Sequence, residues 1–326
     1  MLKKIRKFIS IIKRMKKVPG CNSWVGAFVL ALDNYRWRKK GASMDDYMLL
    51  RFYDLKNPAR KNFILEDECV LTLPNKYNRQ DKRHLLDNKF DFNNFFRDFL
   101  GRSFMVVDET TSLDSFNEFC KDKHSVILKP LDSWCGQGIY KSNTDDPKSL
   151  LESIKKNGQY LVEEIVEQDS RLSALNSDTV NTIRILSLMN NDGNVSVPLA
   201  AFRIGRKGYC TDNFHSHGLV AAVDAKTGVV MTVARDMDGN QYLSHPDSGE
   251  KIIGFEIPNW SEVLNTVKRC ALMVPELRYI GWDVAIGVNG IPLLIEGNSN
   301  SGVDVFQVSL QKGVRDIVNK GLEGKS

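Results

Sequence analysis

Six cysteines stand scattered along a chain of 326 residues, with no C-x-x-C pair and no spacing of the kind that holds zinc. That pattern excludes a disulfide framework and a cysteine metal cluster, and it reads as reduced thiols in a cytoplasmic protein. No apolar run is long enough to cross a bilayer. Neither a low-complexity tract nor an internal repeat is visible. Gly-Lys-Ser/Thr and G-x-G-x-x-G are both missing, so the chain has neither a Walker loop nor a dinucleotide fingerprint. No Ser-His or Cys-His nucleophile stands out. What remains is an ordinary globular composition, 42% hydrophobic and 26% charged, on a chain large enough for two or three lobes.

The formal charge of +5 hides an asymmetry. Residues 1–17 hold eight Lys or Arg and no acid, which leaves 37 basic against 40 acidic side chains elsewhere. The body is therefore slightly acidic, and nucleic acid is not an expected partner. In the leading segment Leu2, Ile5, Phe8, Ile9, Ile12 and Met15 recur at helical spacing between the cations. Residues 1–19 are expected to form a basic amphipathic helix, too interrupted by charge to be a secretory signal. Two uses fit it: peripheral contact with the inner face of an anionic membrane, or packing on its own domain with the lysines solvated.

Residues 20–85 read as mainly helical, with an apolar cluster of Tyr47, Leu49, Leu50, Phe52, Tyr53 and Leu55 and no evident chemistry. From 86 to 166 short strands (104–107, 125–130, 159–164) alternate with helices (113–120, 147–156). From 167 to 326 the pattern gives strands at 180–189 and 195–204 around an Asp192-Gly193 turn. A further pair follows at 219–223 and 229–233, then a helix at 260–273. Strands grouped as hairpins with helices to one side favour an α+β fold.

The richest stretch is 281–298, two apolar strands joined by Asn289-Gly290, a strong hairpin signal. With that turn, Asp283 falls directly opposite Glu296, and Asn298 follows on the same face. Trp282, Val284, Ile286, Ile291, Leu293 and Ile295 make the opposite, core face. Two carboxylates at roughly 5 Å repel, and a hard cation that takes carboxylate and amide oxygens removes that cost. Mg²⁺ is the natural occupant, and a solvated outer face is the plain alternative.

Val126-Ile127-Leu128-Lys129-Pro130 reads as a strand ending in a lysine, followed by a loop that carries Ser133, Gly136 and Gly138. Glycines let backbone N–H groups approach a phosphate, and Lys129 adds a point charge. The same glycines could simply shape a turn. Farther on, the Asp192-Gly193 turn sets Arg184 opposite Ala201 and Thr182 opposite Arg203. The two guanidiniums are then diagonal neighbours within reach of one anion, unless they pair with acids from elsewhere. A loop at 210–218 adds Asp212, Asn213, His215, His217 and Gly218, with no third ligand at zinc spacing.

The order of these parts resembles the ATP-grasp superfamily, in which two α+β subdomains clamp ATP. Leu85 to Phe96, Val180-Asn181-Thr182-Ile183-Arg184, Gly281-Trp282-Asp283-Val284-Ala285 and Leu294-Ile295-Glu296-Gly297-Asn298 look like the sugar-transfer-associated ATP-grasp family, over roughly residues 45–312. The resemblance implies an ATP-grasp fold behind a mainly helical N-terminal region. It further implies that Lys89 and Lys129 contact the ATP phosphates and that the 133–138 loop closes over them. Glu163 and the backbone near Val166 would meet the adenine edge, and Asp169 the ribose. Asp283, Glu296 and Asn298 would hold Mg²⁺, while Arg184, Arg203 and Asn213 serve the reaction.

The function so implied is an ATP- and Mg²⁺-dependent carboxylate–amine ligase working through an acylphosphate in a surface-polysaccharide pathway. Its substrates would be small or glycan-linked carboxylates and amines. Catalysis of that kind is positioning and electrostatics, and it needs no nucleophilic side chain. Two rivals stand beside it. One is a kinase of the same fold, with His215, His217 or Asp212 as base. The other is a nucleotide-binding scaffold without turnover.

Overall fold

A computed structural model describes residues 2–131, 138–158 and 160–324. Its strands are β1 (Phe104–Val107), β2 (Ser125–Pro130), β3 (Tyr140–Asn143), β4 (Tyr160–Glu164), β5 (Thr182–Met189) and β6 (Val195–Ile204). They continue with β7 (Leu219–Val223), β8 (Ala234–Arg235), β9 (Gln241–Tyr242), β10 (Tyr279–Ile286) and β11 (Pro292–Asn298). The first four form one sheet in the order β1-β4-β2-β3, and the others form a second in the order β11-β10-β5-β6-β7-β8-β9. Every paired neighbour is antiparallel. The chain is thus α+β, as its pattern implied.

Helices Leu113–Cys120 and Pro147–Asn157 cover the small sheet through Phe116, Cys120, Leu150, Leu151 and Ile154. The large sheet is covered on both faces, which is why all eight positions of β10 are buried. Ile183, Ile185, Phe202, Trp282, Val284 and Leu294 pack with helix Trp260–Met273 and with Phe92 and Phe96. Leu186, Leu188, Leu199, Ala201 and Tyr279 pack on the other face with the N-terminal helices and the last two helices. Thr182, Arg184, Arg203 and Asp283 interrupt this apolar layer, and all four line a cleft.

Several local readings change. β3 was not foreseen. Residues 229–233 form no strand and give only isolated bridges, Val223 to Val230 and Val229 to Glu256; the next strand starts at Ala234. In the β10–β11 hairpin Asp283 does pair with Glu296, but the register shifts by one just after it, where Val284 meets Leu294. One extra residue on β11 turns Leu294, not Leu293 or Ile295, into the core, and leaves Ile291 exposed.

The basic helix, Leu2–Met15, turns Phe8, Ile11, Ile12 and Met15 into the same core as Tyr47, Leu50 and Phe52. Those four residues serve packing, one of the two expected uses, while Ile9 is exposed. It lies against helix Trp24–Arg38, with Phe8 and Phe28 in edge contact at 5.9 Å. Ser23 caps that second helix by accepting from the Gly26 N–H at 2.9 Å, and Ala27, Ala31, Asn34 and Trp37 face inward at helical spacing.

Candidate active site

A cleft of about 1680 Å³ opens between the two sheets. Lys129 and Glu163 reach it from the small sheet, Arg184, Arg203, Asp283, Glu296 and Asn298 from the large one, and Lys89 from a helix start. Asn88 caps that helix, accepting from the Phe90 and Asp91 N–H groups, and this places Lys89 at its first turn. The Lys89 Nζ donates to the Leu131 carbonyl at 3.5 Å.

β2 and β4 pair Ile127 with Glu163, so Lys129, two residues on, is a diagonal neighbour of Glu163 on one face. The Glu163 carboxylate is buried and bound to the Lys129 ammonium. It also accepts from Arg102 Nη2 at 2.9 Å and from Asn93 Nδ2 at 2.6 Å. Burial alone would push its carboxyl up; Arg102 and Lys129 more than offset that and bring it down to about 2. Glu163 is therefore a buried counter-ion that orients Lys129, a different task from meeting the edge of a base.

Register brings the second cluster together. β5 and β6 pair Thr182 with Arg203 and Arg184 with Ala201, as the Asp-Gly turn requires, while β10 pairs Asp283 with Arg184. Arg184 donates to both Asp283 oxygens, at 2.6 Å from Nε and 3.0 Å from Nη2. Arg203 bridges Asp283 at 2.9 Å and Asp212 at 2.6 Å. The two arginines thus pair with acids, the plainer of their two expected partners. Burial opposes the ionised form of Asp283, yet Arg184 and Arg203 hold its carboxyl below the usual range. For Asp212 burial wins over Arg203 and the carboxyl is pushed up.

Glu296 differs from its cross-strand partner. It makes no ion pair or hydrogen bond among the described residues, and water reaches it from the cleft. Desolvation by the surrounding protein and the Asp283 charge push its carboxyl up. Beside it, the buried Asn298 Nδ2 has no hydrogen-bond partner. The unpaired Glu296 carboxylate, with the Asn298 amide oxygen beside it, suits a hard divalent cation, while the unsatisfied Nδ2 is a donor that suits an acceptor such as a phosphate oxygen. Asp283 fits it less freely, since two guanidiniums already occupy both of its oxygens. No group of three His, Cys, Asp or Glu gathers as a metal cluster among the described residues.

The remaining expected residues fare unequally. Val166 lines the cleft. Asp169 lines it too, but its carboxylate caps helix Ser170–Leu175 and binds Arg171 at 2.9 Å through each oxygen. Asn213 caps the short turn Phe214–Ser216. Gly138 is not a lining residue; it has φ +72°, and a Cβ there would come within 2.8 Å of Pro130 Cγ. Ser133 and Gly136 lie outside the described residues.

Sequence reasoning missed Arg102 and Asn93, whose role depends on Glu163. It missed Asp304, which holds the His215 Nε2 at 3.0 Å and raises that imidazole above its ordinary value. It also missed the wall that Ser43, Asp45, Asp46 and Glu66 of the N-terminal region give the cleft. Asp46 was findable, because Ser43 and Asp46 form a capping box in which each side chain accepts from the other's N–H at 2.9 Å.

A family model described as sugar-transfer associated ATP-grasp matches residues 71–321. No curated protein matches the chain. Among solved structures it is similar to the ATP-grasp ligase PsnB complexed with minimal precursor, at 14% identity and TM-score 0.45, covering 75% of this chain and 64% of that one. D-alanyl-alanine synthetase A from Vibrio cholerae O1 biovar eltor str. N16961 gives 16% identity and TM-score 0.47, over 72% and 64%. An L-amino acid ligase from Bacillus licheniformis gives 14% and 0.45, over 74% and 49%. The chain spans less than two thirds of the length of each of these three structures.

Proposed function

Because the chain belongs to the sugar-transfer associated ATP-grasp family, we propose that it is an ATP-dependent carboxylate–amine ligase acting through an acylphosphate. The observation that carries this reading is the unpaired Glu296 beside Asn298, facing a cleft that Lys89 and Lys129 also line. ATP phosphates would lie along the two lysines, with the adenine against the main chain near Val166 and the ribose near Asp169. When bound at Glu296 and Asn298 beside Asp283, Mg²⁺ would neutralise β- and γ-phosphate charge.

The chain's own part is positioning. Glu163 fixes Lys129, and Asp283 fixes Arg184 and Arg203 side by side. The Arg184 Nη1 makes no hydrogen bond among the described residues, so it can meet a substrate carboxylate or the transferring phosphoryl group. A carboxylate oxygen attacks the γ-phosphorus and ADP departs. An amine nitrogen then attacks the acyl carbon, inorganic phosphate departs, and the amine's proton passes to solvent. Surface-polysaccharide biosynthesis, with small or glycan-linked substrates, is the pathway class the family's description favours. We place the work in the cytoplasm at an anionic membrane face, where a glycan-linked acceptor would be met.

One observation favours a second reading, phosphoryl transfer to a hydroxyl. Of the three expected bases, Asp212 is tied to Arg203 and Thr182, and His217 stacks on Tyr209 at 4.7 Å. Only His215 lines the cleft with a carboxylate behind it.

A screen of amino acids against sugar acids, followed by ADP release and product mass, decides between them. An amide with free phosphate supports the ligase, and a phosphorylated product the kinase. Glu296→Gln should abolish turnover without lowering thermal stability. Lys129→Ala should weaken MgATP about ten- to a hundredfold, the worth of a charge-assisted contact of roughly 1.5–3 kcal/mol. Full activity in the first variant, or unchanged affinity in the second, overturns the site.

A further inference from the structure

The helix Trp24–Arg38 is apolar on two faces. Ala27, Ala31 and Trp37 are buried, while Trp24 is 61% exposed, Val25 74%, Val29 56% and Tyr35 52%, with Phe28 and Leu32 also open. A helix apolar all round normally has partners all round. Here the outer face of this helix, joined by the exposed Ile9 of the adjacent helix, is bare.

Charge says what covers it. Residues 1–40 carry twelve Lys or Arg and a single acid, Asp33. That acid is neutralised from inside, by the buried Arg60 at 2.7 Å and the Tyr47 hydroxyl at 2.9 Å. Arg6, Lys13 and Arg14 on the first helix and Lys17 just after it are exposed, as are Arg36, Arg38, Lys39 and Lys40 at the end of the second. The rest of the chain carries 33 basic and 39 acidic residues, so the positive charge is concentrated where the apolar face is.

We propose that this helical hairpin docks the protein on an anionic lipid bilayer, with Trp24, Val25, Phe28, Val29 and Leu32 entering the interface and the flanking cations meeting headgroups. No helix among the described residues is long and apolar enough to cross a membrane, so the hairpin lies in the interfacial plane. Trp and Tyr at the two ends of the exposed stripe, about 16 Å apart along the axis, suit an environment that is apolar on one side and wet on the other. A second copy of the chain fits worse. In a two-fold dimer the same patch meets itself, and twelve cations would face twelve. The contact belongs chiefly to the second helix, because the first spends Phe8, Ile11, Ile12 and Met15 on the core. It makes the membrane placement given above specific, and its test needs no nucleotide or substrate, so the two readings fail separately.

The full-length protein is mixed with vesicles of phosphatidylcholine, with and without phosphatidylserine, and binding is read by co-sedimentation. Binding to the anionic vesicles at low salt is expected, with release when salt shortens the Debye length to about 3 Å. Trp24 should give a blue-shifted emission on binding, and Trp24→Phe should lose that shift while still binding. Val25→Glu with Val29→Glu should cut partitioning at least about tenfold with an unchanged unfolding temperature, since both sites are exposed. Equal binding to neutral vesicles, no binding at low salt, or undiminished binding of the double variant overturns the proposal. So does a stable dimer that the double variant splits.

Discussion

The side chain of Glu163 binds three elements at once: Lys129 on β2, Arg102 ahead of β1 and Asn93 on the helix Lys89–Phe95. Its carboxyl sits at about 2, below the ordinary 4.5, so it contributes stability that is complete above that ordinary value and lost as pH falls toward about 2. The difference corresponds to roughly 3 kcal/mol, in line with the 3–5 kcal/mol that breaking a buried pair costs. Glu163→Gln should therefore lower the unfolding temperature clearly at pH 7, with the gap to the parent protein closing between about pH 4.5 and 2. Thermal melts across that interval check it; a gap that stays constant would mean the charge is not what matters. Lys129 and Glu163 were each legible as polar residues at strand ends. Their pairing was not, because it depends on β2 lying beside β4 and on Asn93 and Arg102 arriving from more than sixty positions away.

At the scale of elements, hairpins were the most legible parts, since a short turn fixes both partner and register. Asp283 opposite Glu296, and Thr182 opposite Arg203, follow from their turns and are found. That β10 lies against β5 was invisible, because strands 99 residues apart are joined by no turn, and so Arg184 on Asp283 could not be foreseen. The one-residue shift after Asp283 was hidden too, and it matters because it sends Ile295 toward the cleft. Gly297, between Glu296 and Asn298, lets the preceding helices come close: a Cβ there would lie 2.7 Å from Leu86 Cδ2 and 3.0 Å from Phe92 Cε2. Gly297→Ala should cost about 1–3 kcal/mol by overpacking and should weaken MgATP binding by displacing its two neighbours. Combined with Leu86→Val, the loss in melting temperature should be smaller than the sum of the single losses. Strict additivity would show that the helix does not press on this strand.

Across the whole molecule, one side chain joins the two sheets. Arg102 donates to Glu163 on β4, and its Nη1 donates to the Leu294 carbonyl at 2.6 Å, on the strand that carries Glu296. Arg102→Lys keeps the charge but loses the fork that serves both. MgATP should raise the melting temperature of the parent protein by mass action. In Arg102→Lys that rise should fall although the residue touches no phosphate in the proposed arrangement; an unchanged rise would detach Arg102 from the site. The same geometry has a consequence for how the protein would respond to its surroundings. If Lys129 with Glu163 and Glu296 with Asn298 are joined through one guanidinium, occupancy at one end and affinity at the other are thermodynamically linked. By reciprocity, whatever factor nucleotide adds to cation affinity, the cation must add to nucleotide affinity. Such a protein would respond to the product of the two concentrations, staying empty when either is scarce.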